Sequence, residues 1–119
     1  MLFAPSLVGL LGACGGGGNE SGLWDSVLAS PASVTVTGNA TSCAWGRGPT
    51  VFVYGGQPPY RLFNSAPMAM WLDRPYLNDS GDGFTVTFVN GVCMDQIPIT
   101  VEDAMGRVIA VPITNALAN

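Results

Sequence analysis

Histidine and lysine are both absent from this sequence of 119 residues, which narrows the available chemistry before any motif is read. A serine or cysteine nucleophile ordinarily passes its proton to an imidazole or an amine, and neither side chain exists here. Only three cysteines are present, far apart in sequence, so a zinc site would have to be completed by carboxylates. Positive charge is equally scarce. Arg47, Arg61, Arg74 and Arg107 are the only bases against eight acids, and they form no run that would collect phosphates by counterion release. Nucleic acid is therefore not an expected partner, and the net charge of −4 reads as a solubility feature. Charged residues are only 10% of the chain, which is low for a cytosolic domain, while 48% apolar residues exclude a disordered one. Sixteen glycines and nine prolines punctuate short alternating segments, the composition of an all-β protein with many turns. The length suits one domain.

Met1 to Ala13 form an uncharged, mostly apolar run that stops at Cys14. The run is too short to cross a bilayer as a permanent helix but fits the apolar region of a secretion signal. Its end, Leu11-Gly12-Ala13-Cys14, resembles the lipobox of bacterial lipoproteins. That resemblance implies a signal peptide over residues 1–13 and a lipid on Cys14, which becomes the new N-terminus. No Lys or Arg precedes the run, where such signals carry positive charge, so a start upstream of Met1 is expected. The alternative is that Leu2 to Leu11 form a buried strand or helix of the fold. Gly15 to Gly18 have backbone entropy to lose and no side chains to bury, so residues 14–30 read as the lipidated cysteine and a tether. In such lipoproteins an Asp after the cysteine holds the protein at the inner membrane. Gly15 stands there instead, which implies the outer membrane, facing the periplasm or the exterior. Trp24 to Ala29 read either as a helical turn or as a segment lying against the domain.

From Ser33 the pattern switches to period two. Val34 and Val36 alternate with Thr35 and Thr37; Thr50 to Tyr54 and Tyr60 to Phe63 are β-branched and aromatic runs closed by turn residues. Phe84 to Val89 is the clearest strand, with Phe84, Val86 and Phe88 on one face, and Asn90-Gly91 after it is a hairpin signal. Ile97 to Val101 and Val108 to Ile113 finish the domain, with the turn at Met105-Gly106. Pro98 and Pro112 lack amide donors and are expected on edge strands, at strand starts or at bulges. Gly55-Gly56-Gln57-Pro58-Pro59-Tyr60 resembles the GG-x-PPY hairpin of bacterial immunoglobulin-like and adhesin-type repeats. Ile99 to Arg107 resembles the last hairpin of the same domains, I-T-V-x-D-x-x-G-R. The resemblance implies an immunoglobulin-like antiparallel β-sandwich of about seven strands over residues 31–117.

Once Cys14 is assigned to the lipid, Cys43 and Cys93 remain as an even pair in an exported domain, and a disulfide between them is expected. Asn78 to Gly83 has oxygen side chains at alternate positions, like the start of a calcium loop, but Val89 stands where a bidentate Glu is required. A polar turn is the simpler reading, and no metal or other cofactor is expected. Glu102 and Asp103 are adjacent, so in a strand they point to opposite faces and cannot work as an acid–base pair. Trp45, Trp71 and Tyr76 lie in or beside irregular segments. They read either as caps on the core, together with Met68, Met70 and Leu72, or as a ligand surface. The expected function is a non-catalytic interaction or structural module, held to a membrane by its lipid and meeting an envelope protein. The alternative is a carbohydrate- or peptidoglycan-binding module that uses the loop aromatics.

Overall fold

A computed structural model describes residues 26–119, all of which lie in strands, turns and loops. Nine strands follow in order: β1 (Val27–Ser30), β2 (Val34–Thr37), β3 (Gly46–Gly55), β4 (Tyr60–Asn64), β5 (Met70–Leu72), β6 (Tyr76–Leu77), β7 (Gly83–Phe88), β8 (Met94–Glu102) and β9 (Val108–Ala116). They form two sheets, one in the order β1-β3-β7-β5 and one in the order β2-β9-β8-β4-β6. Every pairing is antiparallel except β2 with β9. Residues 27–30, read from sequence as the end of the tether, belong to the four-stranded sheet through β1.

The two-residue period explains which side chains meet between the sheets. Val51 and Val53 of β3 and Phe84, Val86 and Phe88 of β7 are buried from one side. Tyr60, Ile99, Val101, Val111 and Ile113 are buried from the other. Each such side chain contributes roughly 1.5–3 kcal/mol by leaving water. The Ala66 to Leu77 connection supplies Met70 and Leu77 to this core and leaves Met68 and Trp71 exposed. It also contains two short strands, β5 and β6, that period-two reading misses at three and two residues.

Two turns do not join the strands that their sequences suggest. Asn90 and Gly91 both take positive φ, at 59° and 64°, and the Val92 amide donates to the Val89 carbonyl, as in a tight turn of the hairpin type. Yet β7 and β8 lie in different sheets, so this turn carries the chain across the sandwich. The Gly55 to Tyr60 segment likewise links β3 and β4 of different sheets and is not a hairpin.

Pro98 and Pro112 sit opposite each other within β8 and β9, which are interior strands, not edges. Their neighbours explain the tolerance. Pairing of β8 with β4 ends at Ile99, one residue after Pro98, and pairing of β9 with β2 begins at Ile113, one residue after Pro112. Each proline thus lies where the adjoining strand has stopped and no ladder donor is needed.

Candidate functional site

The two family-like motifs form one structural unit. Asp103 lies at the end of β8 with a fully buried side chain. Its Oδ2 accepts hydrogen bonds from the Gln57 amide at 2.8 Å and Arg107 Nε at 2.9 Å; its Oδ1 accepts from the amides of Met105 at 3.0 Å and Arg107 at 2.8 Å. Gly56, at φ 58°, packs so close that an added Cβ would overlap Oδ2. The carboxylate therefore closes the β8–β9 turn and clamps the β3–β4 crossing to it. Burial by itself pushes the Asp103 carboxyl up, but the Gln57 and Arg107 amides and the Arg107 guanidinium outweigh it and hold it below the ordinary value. Beside this clamp the Tyr60 hydroxyl donates to the Gly55 carbonyl. Burial, ahead of every other influence, raises the Tyr60 phenol. These are structural duties. Glu102 points the other way, toward Arg61 at 3.9 Å, as adjacent strand residues must.

The Asn78 to Gly83 turn is likewise satisfied from within. Asp82 Oδ2 accepts from the amides of Asn78 and Asp79 and lies 3.5 Å from Arg74 Nη2. No cluster of three acidic or cysteine side chains suited to a metal ion occurs among the described residues. At the opposite end Cys43 and Cys93 are joined in a disulfide, with Cα atoms 5.2 Å apart. The buried Asn115 side chain reinforces that end: it accepts from the Ala44 amide and donates to the carbonyls of Ala44 and Val92. Cys14 lies outside the described residues.

Trp45, Trp71 and Tyr76 are exposed by 73%, 60% and 56%, so none of them caps the core. Trp71 is on β5 at the edge of the four-stranded sheet, Tyr76 is on β6 at the edge of the five-stranded one, and Trp45 lies just before β3.

The apolar surface that the sequence did not single out is the outer face of the four-stranded sheet. Phe52 and Tyr54 alternate with the buried Val51 and Val53, and both are 42% exposed. Leu28 stands opposite Tyr54, and Gly83 stands opposite Phe52. A Cβ on Gly83 would overlap Cδ1 and Cε1 of Phe52, so that ring lies down over the glycine. The Tyr54 ring similarly reaches over Gly81, whose Cβ position is 3.7 Å from Tyr54 Cε1. Along the same face Arg47 and Trp71 flank Thr87 in one cross-strand row. The Phe52–Tyr54 alternation was visible in sequence, but its outward phase was fixed only when Val51 and Val53 were seen to face the core. No protein-family model, curated protein or solved structure matches the chain.

Proposed function

We propose that this chain is a lipid-anchored protein of the bacterial cell envelope, probed by its partners through a non-catalytic immunoglobulin-like module. The observation that carries the interaction role is the outer face of the four-stranded sheet. A sheet with one face on the core normally turns polar residues outward, whereas Leu28, Phe52, Tyr54 and Trp71 are exposed here.

Strand order supports the immunoglobulin-like reading. If β1, β3, β7 and β5 are taken as A, B, E and D, and β4, β8 and β9 as C, F and G, both sheets follow the constant-domain order. The first strand divides between the sheets, β1 pairing with β3 and β2 running parallel to β9. One departure is that β5, in the D position, precedes β6, which pairs with β4. The disulfide suits an exported domain, and the Leu11 to Cys14 resemblance supports the lipid and, through Gly15, the outer membrane. The alternative, a carbohydrate site built on loop aromatics, rests on Trp71 and Tyr76, which are both exposed on edge strands of the two sheets.

The test uses the full chain carrying Cys14→Ala, which removes the lipid, and isolated envelopes from cells lacking the protein. Saturable co-sedimentation is expected, weakened about ten-fold by Phe52→Leu with Tyr54→Leu, a loss of roughly 1.4 kcal/mol. Absence of saturable binding would reject the interaction role.

A further inference from the structure

We propose that the outer face of the four-stranded sheet binds an acidic, carboxylate-bearing polysaccharide, with Phe52 and Tyr54 stacking on its sugar rings and Arg47 pairing with a carboxylate. The inference rests on the interaction role given above and adds the class of ligand. Ring posture is the first observation. Phe52 Cδ1 and Cε1 occupy the place of a Cβ on Gly83, and Tyr54 Cε1 comes within 3.7 Å of the Cβ position of Gly81, so both side chains lean along the sheet over glycines. A ring lying along the surface offers its negative π face outward, where the slightly positive C–H groups of a sugar can pack. Edge-on rings would offer no such floor.

Charge is the second observation. Arg61 lies beside Glu102, Arg74 beside Asp82 and Arg107 beside Asp103. Among the described residues Arg47 alone of the four arginines has no side-chain hydrogen bond, ion pair or ring contact. It is exposed on the same face, opposite Thr87. A guanidinium fork matches a carboxylate with two parallel hydrogen bonds, which an anionic sugar supplies and a neutral one does not. Four residue steps along β7 lead from Gly83 to Thr87, which sets the Arg47 row about 13 Å from the Phe52 row. An extended ligand of several sugar units spans that interval.

A protein partner fits less well. Protein hot spots fill well-packed, desolvated pockets, and here the two rings lean over Gly83 and Gly81, with Leu28 the large side chain opposite Tyr54. Strand addition is also poorly served, because the edges of this sheet, β1 and β5, are only four and three residues long.

Calorimetric titration of the full Cys14→Ala chain with polygalacturonate oligosaccharides tests the proposal, with neutral gluco-oligosaccharides and polyglutamate alongside. Polygalacturonate should bind at least about ten-fold more tightly than either control. Arg47→Gln should bring its affinity down to the neutral sugar's, and Phe52→Leu with Tyr54→Leu should weaken both sugars. Leucine keeps an apolar side chain at both positions, so an unchanged melting temperature in that variant separates lost stacking from lost folding. No binding of polygalacturonate, an equal response to polyglutamate, or full affinity after loss of both rings would overturn the assignment. Retained envelope binding beside a failed titration would leave the interaction role standing and discard the glycan; loss of both would remove the two together.

Discussion

At the scale of single residues, Asp103 has the most to lose. Its carboxylate is shielded from water and accepts four hydrogen bonds, three of them from backbone amides. Asp103→Asn keeps the shape, removes the charge and replaces one acceptor oxygen with a donor that faces amides. A loss of about 2–3 kcal/mol at neutral pH is expected from urea denaturation. The sign of the pH effect follows from the lowered carboxyl. Its stabilisation is fully present above the unfolded value of about 3.9 and disappears as pH falls through the lower folded value. The gap between wild type and Asp103→Asn should therefore narrow in acid. A gap that stays constant from about pH 7 to about pH 3 would show that the charge contributes nothing to this clamp. The sequence marked Asp103 only as part of a resemblance. Its partner Gln57 stands 46 positions away, beyond anything local patterning can reveal.

At the scale of elements, legibility tracked length and burial. Strand β7 was readable because Phe84, Val86 and Phe88 hold one phase for six residues against a core. The clean test compares Phe88→Ala with Thr87→Ala. The first should cost roughly 3–5 kcal/mol through lost burial and a cavity, and the second about 1 kcal/mol or less. Comparable losses would mean that both faces of β7 support the fold. Strands β5 and β6 escaped because three and two residues give no usable period, and β1 because Val-Leu-Ala-Ser does not alternate apolar with polar side chains. The outward face of β3 escaped for a different reason. A run of Val, Phe, Val and Tyr is apolar on both phases, so only the packed sheets reveal which pair faces water. Pairing of Cys43 with Cys93 was readable by contrast, since parity and export context leave one combination once Cys14 is set aside. That bridge spans 50 positions and ties the approach to β3 to the approach to β8. Opening it should cost about 4 kcal/mol on the chain-entropy account, a large share of a small domain's stability. Non-reducing mass spectrometry should show the linked peptides, and reduction should lower the melting temperature markedly. An unchanged melting temperature would indicate that Asn115 and its bonds to Ala44 and Val92 hold that end alone.

At the scale of the whole molecule, the binding face matters only if the chain is delivered to a compartment where its ligand exists. Two independent features bear on that delivery. The disulfide is stable where thiols are oxidised, and the apolar run ending in Leu11-Gly12-Ala13-Cys14 resembles a lipoprotein signal. Apart from the proposed lipid, the chain has a net charge of −4 and no run of bases to attract an anionic membrane. Acyl chains, in contrast, add about 0.8 kcal/mol for each methylene that enters the bilayer. Membrane retention should therefore depend on Cys14 and not on the domain surface. In a bacterial host, Cys14→Ala should either appear in the soluble fraction or accumulate with its signal attached. Carbonate washing, which strips peripheral proteins, makes the distinction firm: wild type should stay with the pellet and a cleaved Cys14→Ala protein should not. Phe52→Leu with Tyr54→Leu should remain in the washed pellet if the proposed lipid, and not that face, holds the protein to the membrane. A Cys14→Ala protein that is cleaved and still resists the wash would place the anchor elsewhere and remove the lipid from this account.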